Sequence, residues 1–244
     1  MSRYIAADMS RILKKISHWV MVAIVLYFIA DSARTDTMEV GFDIADMIKS
    51  AFKFIPVPCG FFAIVYIFGD DFKGKTAQVA IGIGISRVQV VMAKWIETVL
   101  LTAIDTAIWI TGAVVSSLLS NGAITISVMP EILLTGLMSV IATSVYIAFA
   151  MMIMIPSRGT TFALLIFIFM STGMLAKGLG YLVLFEPIQK LHVINMLPTN
   201  LINACRSRMI LGSFAMLQWF ALIAEIALFL FITILIYRKQ ELEF

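Results

Sequence analysis

Metal-binding and redox side chains are scarce in this chain: Cys59, Cys205, His18 and His192 are the only cysteines and histidines among 244 residues. Their spacing fits no zinc site, and neither an HExxH motif nor a pair of glutamates suited to proteolysis is present. Two isolated cysteines do not report a redox compartment, so a disulfide between them stays open. Charge is scarce too. Only 14% of the residues are Asp, Glu, Lys or Arg, against about 25% in ordinary soluble domains. The net charge of +3 is small and its basic residues sit beside apolar runs, which argues against a nucleic-acid surface. Internal repeats, low-complexity tracts and long polar linkers are also missing. Residues 1–244 therefore read as one domain.

Apolar residues are what the chain has in excess. They make up 61% of it, and mean hydropathy is +1.00, whereas soluble domains carry roughly 45–50% apolar residues. Water cannot solvate that surplus, and a bilayer can. At about 20 residues per crossing, the pattern predicts an all-α polytopic membrane protein of about six spans, over 17–31, 50–68, 98–119, 131–155, 160–176 and 213–237. The fifth is open to extension as far as Phe185. Asn121-Gly122 marks a turn, and the region 186–212 is mixed, with Pro187, Pro198 and two arginines.

The N-terminal run is expected to be a retained signal anchor. Basic residues precede it, no small-residue cleavage site follows it, and it ends in Asp31-Ser32-Ala33-Arg34. Residues 1–16 read as an amphipathic interfacial helix. Tyr4, Ile5, Met9, Ile12, Leu13 and Ile16 share one side; Arg3, Ser10, Arg11, Lys14 and Lys15 share the other. Such a helix suits the headgroup layer, making membrane lipid a partner. His18 and Trp19 are placed at the interface.

With the N-terminus inside, Arg3, Arg11, Lys14, Lys15, Lys73, Lys75, Arg87, Lys94, Arg158, Arg238 and Lys239 lie inside, which is 11 of the 18 Lys and Arg residues. The positive-inside rule then puts both termini in the cytoplasm of a multi-pass protein of the cytoplasmic membrane.

Gly69-Asp70-Asp71-Phe72-Lys73-Gly74-Lys75-Thr76 matches the pattern G-x-x-x-x-G-K-[ST] of a phosphate loop. Two aspartates inside such a loop oppose a polyphosphate. A membrane span follows in place of a nucleotide-binding domain. The same residues also read as the inner mouth of the second span, opening a cytoplasmic loop over 69–97 in which a short helix offers a grip for a partner.

That run, followed by Gly82-Ile83-Gly84-Ile85-Ser86-Arg87 and then Met92-Ala93-Lys94, resembles the loop of ABC-2 type transporter permease subunits. The likeness extends over nearly the whole chain: an amphipathic first helix, six spans, a short turn between the fourth and fifth, and a mixed outer region over 186–212. It is nearest to small permeases of bacteriocin and lantibiotic immunity, or of amphipathic-peptide export. The resemblance implies a cytoplasmic coupling helix seated on a separate ATPase, two ATPase copies per complex, and a second permease, identical or homologous. ATP and magnesium would belong to the ATPase, leaving this chain without a cofactor or catalytic site of its own. Asp71, Phe72, Lys73, Gly74, Lys75, Thr76 and Arg87 are the implied contact residues.

Asp105 and Glu225 fall within spans. A carboxylate there must face protein or a wet cavity, or be neutral, so both are candidates for a substrate route, and equally for helix–helix hydrogen bonds. Lys177 reads as a snorkelling residue. The abundant Met, Gly, Ser and Thr read first as packing residues. Two other functions compete with the transport subunit: a secondary transporter or channel working without an ATPase, and an intramembrane enzyme, for which only Asp105 and Glu225 lie at depth.

Overall fold

A computed structural model describes residues 1–34, 50, 53–74, 76–119, 129–157, 159–180, 196–210, 213 and 216–239. Among these residues the ordered elements are all helical. They are α1 (Ser2–Leu13), α2 (Ile16–Arg34), α3 (Pro56–Ala63), a π-helical segment (Ile64–Gly69), α4 (Asp70–Gly74), α5 (Thr76–Gly82), α6 (Arg87–Leu119), α7 (Met129–Ser157), α8 (Thr161–Ser171), α9 (Met174–Gly180), α10 (Pro198–Ile210) and α11 (Met216–Lys239).

Helices α6, α7 and α11 are long and apolar enough to cross a membrane. A fourth crossing is counted if α1 and α2, bent by 68° at their junction, form one. This is the architecture of a helical membrane protein, and the described helices do not reach six full-length spans. The expected second and fifth spans explain the difference, because each is broken. Past Pro56, whose missing N–H is tolerated at a helix start, α3 gives way after Ala63 to π-helical turns. The fifth stops at Ser171 and turns through Gly173 at φ +73, a left-handed conformation that glycine adopts without steric cost, before α9 resumes. The third expected span is longer than anticipated. Its helix begins at Arg87, so residues 87–97 form the first turns of α6 and the loop proper shrinks to about 70–86.

Helix α7 forms the centre. Its buried residues run from Ile132 to Ile155, and α1, α3, α6, α8, α10 and α11 contribute to the same apolar core. A second, smaller core joins Met21, Val22 and Ile29 of α2 to Trp109 and Ala113 of α6. Helix α11 is the opposite case, exposing Leu217, Phe220, Ile223, Leu228, Phe231 and Leu235. That apolar face has no counterpart in a water-soluble surface and suits lipid.

Small residues and hydroxyls make the packing possible. A Cβ on Gly60 would fall 1.8 Å from the ring of the fully buried Phe167, and one on Gly112 would fall 2.0 Å from Leu26 Cδ1. These glycines let α3 approach α8 and α2 approach α6. Thr98, Thr102, Thr135, Ser139 and Thr143 each donate to the carbonyl four residues earlier. Their hydroxyls are thereby satisfied without water, as apolar surroundings require. Cys59 and Cys205 are both buried free thiols.

Candidate functional site

The loop between the π-helical segment and α6 is built by recognisable local chemistry. Helix α5 stops at Gly84, φ +98, where the Ile85 N–H donates to Ala80 O and the Gly84 N–H to Ile81 O, each at 3.0 Å. This is the hydrogen-bond pattern of a glycine-terminated helix. Helix α6 then starts with a reciprocal cap: the Ser86 N–H donates to Gln89 Oε1 at 3.0 Å and the Gln89 N–H to Ser86 Oγ at 3.2 Å. Ser-x-x-Gln is a helix-start signature.

A charged cluster fixes this loop to the rest of the chain. Lys94 of α6 lies at its centre, buried, ion-paired with Asp8 of α1, with Asp71 of α4 at 2.7 Å and with Glu97 at 3.2 Å. Its ammonium also sits 5.0 Å from the centre of the Tyr4 ring. Lys15 pairs with Asp70, and Arg11 reaches Asp70 at 3.3 Å, Asp71 at 3.8 Å and Asp8 at 3.2 Å. Asp8, Asp70, Asp71 and Glu97 thus meet Arg11, Lys15 and Lys94 where three parts of the chain converge. Arg11 and Lys15 had been expected to face lipid headgroups; they face the aspartates of the loop. Arg3 and Lys14 remain exposed.

The residues singled out from sequence divide accordingly. Asp71 is buried and accepts a hydrogen bond from Thr76 Oγ1 as well as its ion pairs, so it anchors α4 to α5 and α6. Phe72 is half-buried against the main core. Gly74 is exposed at the end of α4, where Lys73 also lies. Lys75 is outside the described residues. Arg87 turns away from the loop: its Nη1 donates to the carbonyls of Tyr237 at 2.7 Å and Arg238 at 2.9 Å, and its guanidinium lies 5.7 Å from the Tyr237 ring centre. A cation on the last carbonyls of α11 is favourably placed with respect to that helix's dipole.

Two residues that the sequence reading passed over are prominent here. Val79 is 62% exposed and Ile83 77%. They lie four residues apart, Val79 on α5 and Ile83 just past its end, with the Ile83 N–H still donating to Val79 O at 3.1 Å. Their signal was weak: Val79 and Ile83 stand at helical spacing between Thr76 and Gly84, but Ala77, Ala80 and Ile81 are apolar too, and sequence does not say which of them face inward.

The carboxylates of the spans have different surroundings. Asp105 Oδ1 lies 3.3 Å from His18 Nε2, and both side chains are fully buried between α2 and α6. His18 had been expected at the interface; only Trp19 is exposed, donating its indole N–H to Leu13 O at 2.7 Å. Cys59 is a buried thiol of the smaller core that also holds Trp109. Glu225 is half-buried on α11, and its Oε2 has no hydrogen-bond partner. Asp105 and Glu225 are on α6 and α11, and nothing among the described contacts joins them. No group of three or more metal-ligating side chains occurs among the described residues.

No family model matches the chain, and no curated protein matches it.

Proposed function

We propose that this chain is the membrane permease subunit of an ABC exporter, with a separate ATPase supplying the energy and an amphipathic or hydrophobic substrate, such as a bacteriocin or another antimicrobial peptide. In this reading the broken segments 56–74 and 161–180 count as two further crossings, giving six, with both termini in the cytoplasm. A second permease, identical or homologous, completes the translocation route. ATP and magnesium bind the ATPase pair.

The single observation that carries the reading is α5. It is a short helix seated on the main core by Ala77 and Ile81, stopped by Gly84 and fixed at its base by Asp71, and it leaves Val79, with Ile83 just past its end, exposed. Apolar side chains so exposed on a helix suit a groove on a partner protein. The Asp71–Lys94–Asp8 cluster gives the partner something to push against. Movement of α5 would pass through ion pairs to α6 and α1 together, as near-rigid-body motion of a permease requires. Gly74, Lys73 and Lys75 would border the contact, with Asp71, Thr76 and Arg87 acting from behind it and Phe72 seating α4.

Co-expression with an ABC ATPase, taken from the neighbouring genes if one is encoded there, tests the reading. A stable complex is expected, and Val79→Ala/Ile83→Ala weakens it at least about tenfold while the permease remains folded. If no ATPase associates, or the double variant binds as tightly as the parent, the coupling reading fails.

The buried His18–Asp105 pair favours a second reading, a transporter driven by a proton gradient, since ionisable pairs within membrane segments commonly mark proton routes. Proteoliposomes containing the chain alone distinguish the two. Substrate movement on imposing a pH gradient, with no ATPase present, would favour this second reading. Movement only with ATPase and ATP supports the first.

A further inference from the structure

A second polar site lies away from the loop. The residues leading into α3, the turn between α8 and α9, and α10 border a cavity of about 410 Å³. Its described lining carries three cations, Lys53, Lys177 and Arg206, and no carboxylate. Lys53 and Lys177 are exposed at its edge. Arg206 is different, being only 9% exposed, with an Nε that has no hydrogen-bond partner.

Among the described residues, none of the hydrogen bonds made by the hydroxyls of the lining runs to Arg206. Tyr146 Oη donates to Thr199 Oγ1 at 3.4 Å, and Thr199 Oγ1 donates to Met170 O at 3.1 Å. Ser171 and Thr172 both donate to Ile168 O. These hydroxyl protons point into the protein, leaving the cations as the strong outward donors. Glu225 acts electrostatically on Tyr146 but is not part of the described lining.

A buried guanidinium with an open N–H is costly. Burial draws the Arg206 guanidinium below its ordinary value, so its surroundings oppose its charge. Like charges gathered around one small cavity also repel. An anion with several acceptor oxygens would relieve both costs through charge-assisted hydrogen bonds. Phosphate suits this better than a lone carboxylate, because its oxygens can engage a guanidinium fork and two ammonium groups together. The cavity size is in the range of small-ligand sites, about 300–1,000 Å³.

We propose that this cavity is a binding site for a phosphate group, taken either from an anionic phospholipid headgroup or from a free phosphate compound, with Arg206 as the buried ligand and Lys53 and Lys177 as its outer arms. The site does not depend on the transport reading. That reading adds only the side of the membrane, which would be the outer one.

The test uses the full chain purified in a maltoside detergent. Its affinities are measured for dihexanoyl-phosphatidylglycerol, for dihexanoyl-phosphatidylcholine and for inorganic pyrophosphate. Phosphatidylglycerol or pyrophosphate is expected to bind at least about tenfold more tightly than phosphatidylcholine, and Arg206→Gln to weaken that binding about tenfold or more. Lys53→Gln/Lys177→Gln weakens it as well, and serves as the deciding variant if Arg206→Gln does not fold. Binding of phosphatidylglycerol that pyrophosphate cannot displace identifies a lipid headgroup; binding of pyrophosphate with displacement of the lipid identifies free phosphate. The proposal is overturned if neither probe binds better than phosphatidylcholine, or if the lysine double variant binds as the parent does.

Discussion

Lys94→Met will destabilise the protein by about 3–5 kcal/mol, the usual cost of removing one partner from a buried ion pair. Methionine preserves most of the side chain's length and apolar stem, so little of the loss is a cavity effect. What goes is the only cation in contact with Glu97 among the described ion pairs, and the ammonium that separates Asp8, Asp71 and Glu97. Three carboxylates from α1, α4 and α6 would then face one another, with Arg11 touching two of them and more exposed than Lys94. The loss should appear as a lower denaturation midpoint in detergent, measured by the fraction still monodisperse after heating. Adding Glu97→Gln should restore part of the stability, because it removes the carboxylate that is most deeply buried. A single variant as stable as the parent would mean that the cluster does not hold α1 and the loop together.

How far this site was legible from sequence depends on the range of the interaction. Local chemistry was readable. The fifth span is open-ended in sequence, and it is one of the two that break; Pro56 and Gly173 are the kinds of residue that punctuate helices, and each lies in a broken segment. The amphipathic character of residues 1–16 was plain, and α1 is a helix with Met9 and Ile12 buried. Its polar face was misassigned because a helical wheel reports which residues share a side but not what that side meets. Arg11 and Lys15 are more than fifty positions from Asp70, and no periodicity in one sequence encodes that pairing. The aspartates read as unsuited to a phosphate loop, and Asp71 as a contact for an ATPase, but neither reading supplies their partners within the chain. Their partners came from α1 and α6, and part of the difficulty was that residues 87–97 had been assigned to the loop. His18 was misplaced for a related reason. Its neighbour Trp19 does carry the signature of an interface, but adjacent residues on a helix point about 100° apart, and His18 turns inward while Trp19 turns out.

The inward turn of His18 makes the second large effect. His18→Leu will cost about 3 kcal/mol, since it leaves Asp105 buried and unpaired in an apolar setting. The double variant His18→Leu/Asp105→Leu should recover most of that loss. Apolar replacement of both members of a buried pair is commonly neutral or stabilising, and α2 and α6 have other attachments. Trp109 Nε1 donates to Val22 O at 3.0 Å, Ser116 Oγ donates to Ala30 O at 3.1 Å, and Gly112 admits Leu26. The pair is therefore not required to bring the helices together, and its energetic role is confined to satisfying its own polar groups. Equal instability in the single and double variants, measured by denaturation in mixed micelles, would overturn this view and make the pair a fastening in its own right. Recovery of stability in the double variant would also allow a direct functional comparison, because a folded protein lacking both groups can be assayed for substrate movement. Retained movement would assign the pair to structure. Lost movement in a stable protein would show that the two groups supply something packing cannot replace, a site for a proton or for a polar part of the substrate between α2 and α6.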